Sequence, residues 1–375
     1  MARLGRRTAS GWVIAHIRGV PVVFAPSWFV MAVVLGLVFA PVLTPLVPGA
    51  GGLAALAVAA AVPLMLLLGV LAHELAHGMA GHAVGSPPRE YVLTLWGGHT
   101  QFATDMRTPG AAALVSIVGP LANAVLAVAA WLAMDAAQSV LAAVLWQIAA
   151  VSNAVVAGFN LLPGYPLDGG RVLEALVWRV TGDRLTGLAV AGWGGRVVAV
   201  LVAVGGLARP FVQGTRPSLF TVLWVALLAG YLWTSAGQAV RIARARRSAA
   251  GIDLRLLAEP AVALPAGAPV AAADAAAGRR VVLTDEAGRV CGLVDPAVLA
   301  QVPPAARAET PLSAVATVLP PTSVVTQHTG AAGVAAAAQA GRTSPVVVLA
   351  DHTGVVVGVL PLQRLDEALR RSARR

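Results

Sequence analysis

His73-Glu74-Leu75-Ala76-His77 sits inside an apolar run, Leu53 to Val84, that has few other polar residues. Two imidazoles and a carboxylate are costly in hydrocarbon, and ionisable residues at membrane depth mark functional sites. Residues i and i+4 of a helix share a face, so His73 and His77 can hold one metal ion. Glu74 lies one step round, where it can act as base toward a water on that metal. Hydrolysis at such a centre needs three protein ligands and one open position. The best third ligand is Asp168, within Asn160-Leu161-Leu162-Pro163-Gly164-Tyr165-Pro166-Leu167-Asp168-Gly169-Gly170-Arg171. Two prolines there end an apolar span, and two glycines permit tight backbone behind the carboxylate.

These residues must be positioned by membrane helices. The chain of 375 residues is 58% apolar and only 12% charged, where a soluble domain is nearer about a quarter charged. Six apolar stretches approach the ~20 residues that a bilayer requires: Trp28–Val47, Leu53–Val84, Gly110–Met134, Val140–Leu162, Gly192–Leu207 and Ser218–Val240. The fifth holds glycines and Arg196. Ile14–Phe24 and Tyr91–Phe102 are too mixed to cross and read as short strands or membrane-dipping segments. No cleavable signal peptide is evident in the first 25 residues. The single Cys291 excludes an intrachain disulfide and reads as a small residue of a strand in the tail.

The net charge of +10 comes from arginine, since the chain has no lysine. One set of segments holds Arg3, Arg6, Arg7, Arg18, Arg89, Arg107, Arg171, Arg179, Arg184, Arg241, Arg244, Arg246 and Arg247; the opposite set holds Arg209 and Arg216. The positive-inside rule then puts both termini in the cytosol of a multi-pass protein of the cell membrane, in agreement with an even number of spans. Topology therefore explains the basic excess, and no nucleic-acid partner is expected. Trp28, Trp131, Trp178 and Trp233 fall near span ends, as an aromatic belt does.

After Arg247 the composition becomes that of a soluble domain, residues 251–375, with an internal repeat. Val281-Val282-Leu283-Thr284-Asp285 leads to Gly288 and to Gly292-Leu293-Val294. Val346-Val347-Val348-Leu349-Ala350-Asp351 leads to Gly354 and to Gly358-Val359-Leu360, with the same spacing. Each copy, about 251–305 and 306–375, reads strand, tight turn, strand, helix, the helices being Ala297–Gln301 and Leu362–Arg371. The expected architecture is a polytopic α-helical membrane protein of about six transmembrane helices, residues 1–247, followed by an α/β tail.

The pairing of His73-Glu74-Leu75-Ala76-His77 with Leu167-Asp168-Gly169 resembles the site-2 protease family of intramembrane zinc metalloproteases. Gly97-Gly98 and Gly119-Pro120-Leu121-Ala122-Asn123 also fit that pattern, and the resemblance covers residues 14 to about 240. It implies one Zn2+ held by His73, His77 and Asp168, with Glu74 as catalytic base and Asn160 positioning substrate. It further implies peptide-bond hydrolysis in or near a transmembrane segment of a membrane-anchored protein, such as an anti-sigma factor, another regulator or a signal-peptide remnant. The tail resembles a pair of cystathionine-β-synthase-type (CBS) domains, which implies a regulatory role, an adenine nucleotide as ligand and a homodimer formed through the pair. The first copy lacks a clear opening helix, and neither copy has a Thr or Ser followed by Asp after its second strand, where many CBS domains hold ribose or phosphate.

The remaining polar residues read more simply. His82 is interfacial, and His99 is a loop histidine that could approach the site. Asn123 and Asn153 read as interhelical hydrogen-bond partners. A metal transporter or channel regulated by the tail is the alternative in another class; it needs ionisable residues along a path, and the far halves of the spans hold almost none. A prenyl-protein type of membrane protease would take a Glu ligand from a later helix, for which Glu174 is the nearby candidate.

Overall fold

A computed structural model of the chain describes residues 11–43, 45, 52–94 and 97–373. It divides into two compact units, residues 1–241 and 242–375.

In the first unit, β1 (Trp12–Ile17) and β2 (Val20–Phe24) form an antiparallel hairpin, so the stretch read as strand or membrane-dipping is strand. Helices α1 (Ser27–Leu43) and α2 (Gly52–Ala83) follow, then a second hairpin of β3 (Pro88–Thr94) and β4 (Gly97–Phe102). The sheet runs β1-β2-β3-β4, with β2 and β3 parallel. Val22, Phe24, Tyr91 and Leu93 on one face pack against Leu67, Val70, Leu71 and Leu75 of α2. Alternation thus turns one face of the sheet onto the helix that carries the His pair.

The rest of the unit is helical: α3 (Pro109–Asp135), α4 (Val140–Asn160), α5 (Asp168–Thr181), α6 (Arg184–Val212) and α7 (Leu219–Ala250), whose residues from Ile242 on belong to the second unit. Five helices are long and apolar enough to cross a membrane: Ala60–Ala83 within α2, and α3, α4, α6 and α7. They coincide with five of the six expected spans. The first expected span is the 17-residue α1, at the short end of what a bilayer requires; Val47 lies outside the described residues. The fifth span is longer than expected, because Asp183 caps α6 through Leu185 N and Thr186 N and starts the helix at Arg184. Helix α5 is amphipathic rather than spanning and ends on Gly182 in the left-handed region (φ 72°).

The second unit holds β5 (Glu259–Pro265), β6 (Arg280–Thr284), β7 (Val290–Val294), α8 (Pro296–Ala300), β8 (Ala316–Val318), β9 (Val324–Val325), α9 (Gly330–Ala340), β10 (Val346–Ala350), β11 (Val356–Pro361) and α10 (Leu362–Ala373). The two repeats are the hairpins β6–β7 and β10–β11. In each, an aspartate, Asp285 or Asp351, accepts the N–H of a glycine three residues on, and that glycine has positive φ (Gly288 75°, Gly354 90°). Backbone and guanidinium bonds from Arg289 hold the Asp285 carboxyl below its usual range; the Thr353 hydroxyl, helped by backbone N–H groups, does so for Asp351. Where the second copy has α9, the first has only a 3-10 turn, Val270–Ala276.

One seven-stranded sheet, β8-β7-β6-β5-β11-β10-β9, joins the copies. Strand β5 of the first copy pairs with β11 of the second, and β8, beyond residue 306, pairs with β7 of the first. Within the second unit, Ala249 at the end of α7 is buried among Leu254, Val334 and Leu365.

Candidate metal centre

Gly69, His73 and His77 stand four residues apart on α2, and Val115, Gly119 and Asn123 stand four apart on α3, so two matched stripes can meet. Close approach is possible only because residue 119 has no side chain. A Cβ there would run into His77 Nε2 and lie 2.8 Å from His73 Cε1. Pro120 donates no N–H to the carbonyl four residues back, and a helix opens in the turn before a proline. In that turn the Val115 carbonyl accepts a hydrogen bond from His77 Nδ1 at 2.6 Å.

Asp168 arrives at the first turn of α5, on the loop that leaves α4. A Cβ on Gly169 would meet the Leu161 carbonyl, and one on Gly170 would meet the Gly164 backbone. The loop is pinned by Tyr165 N bonding the Ala191 carbonyl at 2.9 Å and by Leu167, packed with Val198, Ala199 and Leu232. Asp168 Oδ2 lies 2.8 Å from His73 Nε2 and 3.2 Å from His77 Nε2, and the two Nε2 atoms are 3.0 Å apart. Among the described residues these three are the only group of three or more His, Cys, Asp or Glu gathered tightly enough for a metal ion.

The outer ring atoms are fixed as well. His73 Nδ1 is 2.6 Å from Asn123 Oδ1. Asn123 Nδ2 donates to the Gly69 carbonyl at 3.0 Å and to Asn153 Oδ1 at 2.7 Å, which settles the orientation of the amide. Both Nδ1 atoms therefore face oxygen acceptors and carry the protons, which leaves both Nε2 lone pairs for a metal. Asn123 is fully buried. Beyond the expected packing between helices, the chain Asn153–Asn123–His73 fixes the His73 ring.

Glu74 is buried beside this triangle, and the Thr100 hydroxyl donates to its Oε2 at 2.7 Å. Thr100 and Gly98 share one side of β4 and press on Glu74; His99, between them, points to the other side and is exposed. His82 is also exposed. Asn160 ends α4, where its Nδ2 donates to the Val156 carbonyl of its own helix at 3.1 Å. Glu174 is paired with Arg184 Nε at 3.0 Å and lies outside the cluster.

The atoms of this triangle fit a tetrahedral metal with N and O ligands. Around zinc such atoms stand roughly 3.3 Å apart at bond lengths of about 2.0–2.2 Å. Removing an outer-shell partner of a ligating histidine typically costs about 10–100-fold in metal affinity. Asn123→Ala is expected to weaken zinc by that amount while leaving the stoichiometry at saturation unchanged. Competition with a fluorescent chelator measures this; unaltered affinity would reduce Asn123 to packing.

Residues 133–204 match the family model for Peptidase family M50, a stretch that includes Asp168. The chain is 37% identical over 177 residues to the Mycobacterium tuberculosis protein named "Putative zinc metalloprotease Rip3", covering 46% of this chain and 44% of that one. It thus spans less than half the length of this curated relative. A site-2 protease structure from Methanocaldococcus jannaschii superposes at 19% identity and TM-score 0.44, over 61% of this chain and 94% of that one. The CBS domain of a bacterial CNNM/CorC family Mg2+ transporter superposes at 16% identity and TM-score 0.26, over 38% and 91%. The membrane portion of this chain is thus similar, over residues 133–204, to peptidase family M50 and, over 177 residues, to this zinc metalloprotease relative.

Proposed function

We propose that the chain is an intramembrane zinc metalloprotease that hydrolyses a peptide bond in or near a transmembrane segment of a membrane-anchored protein. The observation that carries this reading is the triangle of His73 Nε2, His77 Nε2 and Asp168 Oδ2 with Glu74 beside it, on a helix apolar enough to cross a membrane. Zinc, when bound, supplies a Lewis acid that lowers the pKa of water and polarises a carbonyl. His73, His77 and Asp168 hold it. Glu74 takes the proton of the attacking water and returns it to the leaving amine. Thr100 keeps the Glu74 carboxylate in one orientation by its hydrogen bond. Asn160 is the candidate for substrate contact.

A substrate helix arrives with its carbonyls already bonded within itself, so it must unwind before Glu74 can act, and helix-weakening residues near the scissile bond favour it. Anti-sigma factors, other tethered regulators and signal-peptide remnants meet this description. The test is cleavage of a transmembrane reporter by the purified protein, with zinc-stripped protein as control. Cleavage that survives complete removal of zinc would overturn the reading.

The arginine asymmetry further supports a multi-pass orientation with both termini cytosolic. Reporter fusions after Pro48 and Arg209 are expected to read outside, and those after Arg107 and Arg247 inside; an inside signal after Pro48 would reverse the topology. The tail offers none of the site residues, and its paired repeats serve as a regulatory and dimerisation module. A change in cleavage rate on adding ATP or AMP would report the regulation.

A further inference from the structure

Arg196 is twelve residues into α6, inside an apolar helix, and is not part of the metal centre. Its guanidinium carbon lies 4.6 Å from the ring centroid of Trp193 and 5.1 Å from that of Trp233 on α7. Its Nε is buried without a hydrogen-bond partner. A second guanidinium stands next to it. A Cβ built on Gly237 would be 3.3 Å from Arg196 Nη2 and 3.5 Å from Arg241 Nη1, so the two groups share the notch over Gly237, no more than about 7 Å apart. Among the described residues neither arginine is bonded to a carboxylate.

Two like charges in a notch walled by indole rings repel each other, and a low dielectric strengthens that repulsion. An anion between them removes it. Guanidinium forks match phosphate oxygens in pairs, better than an ammonium does. The location selects the source of the phosphate. Arg241 opens the basic run that ends the apolar part of α7, which sets the notch at the membrane–water boundary, the depth of lipid headgroups. Tryptophan prefers that depth. Along α6 beyond the notch, Val197, Val200, Leu201 and Val204 are exposed, an apolar track on which acyl chains can lie.

We propose that Arg196 and Arg241 bind the headgroup phosphate of one anionic phospholipid, with Trp193 and Trp233 as walls of the site. The test uses the full chain in detergent, with phosphatidylglycerol and phosphatidylcholine supplied in competition and retained lipid counted by native mass spectrometry. One phosphatidylglycerol should be retained in preference, and Arg196→Gln/Arg241→Gln should retain it roughly tenfold less or weaker still. Unfolding temperature in phosphatidylcholine alone checks that the double variant is folded; Arg241→Gln, at an exposed position, serves if it is not. Brominated phosphatidylglycerol should quench tryptophan fluorescence in the wild type, and less so in Trp193→Phe/Trp233→Phe. Equal retention by the folded arginine variant, or equal retention of the two lipids, overturns the proposal. Displacement of the lipid by inorganic phosphate at micromolar concentration would make this a free-phosphate site and overturn the lipid assignment.

Discussion

Glu74→Gln is expected to bind zinc at full stoichiometry and to cleave about 10²–10⁴-fold more slowly, the range that a positioned general base contributes. The substitution is close to isosteric. A glutamine carbonyl oxygen can still accept the Thr100 hydroxyl, which now donates to Glu74 Oε2 at 2.7 Å, so the side chain keeps its place against β4. The three ligand atoms are untouched, since none belongs to residue 74. What is lost is a group that takes a proton. Metal content and reporter cleavage, measured on the same preparation, separate chemistry from assembly. Wild-type turnover by the zinc-loaded Glu74→Gln variant would remove Glu74 from the mechanism.

Asp168→Ala is expected to lose metal and activity together, with zinc affinity falling more than the about 10–100-fold that an outer-shell partner costs. Asp168 is the one carboxylate of the candidate triangle, and it reaches both Nε2 atoms with a single oxygen. Two neutral imidazoles alone leave zinc short of the three protein ligands that a hydrolytic centre uses. The matching control is Glu174→Ala. Glu174 is held by Arg184, so its loss should leave zinc binding unchanged. If zinc follows Glu174 and ignores Asp168, the third ligand has been misassigned.

The spacing of His73 and His77 was legible because a helix brings residues four apart onto one face whatever surrounds it. Five of the six apolar stretches gave helices of membrane-crossing length, since a bilayer imposes that length on any apolar run that crosses. The matched Asp-Gly-Gly spacing of the tail likewise forecast two hairpins, because positive φ at Gly288 and Gly354 is a demand of the local turn. The glycines after Asp168 were read as permitting tight backbone, and a Cβ on either Gly169 or Gly170 would meet backbone atoms of the loop.

The contacts of Thr100 with Glu74 and of Asn123 with His73 were not legible in the same way. Thr100 faces Glu74 only because β4 pairs with β3 in one register; a shift of one residue would present His99 instead. The four-residue spacing of Gly119 and Asn123 was a usable signal for Asn123, but only once α3 was known to lie against α2. In the tail, pairing of β5 with β11 ties the two repeats into one sheet, a long-range pairing that the repeat spacing did not show. Sequence by itself determined what obeys a local period: spans, turns and the histidine pair. Tertiary structure decided which distant polar atoms meet, because those contacts depend on how helices and strands pack, and packing leaves no fixed spacing along the chain.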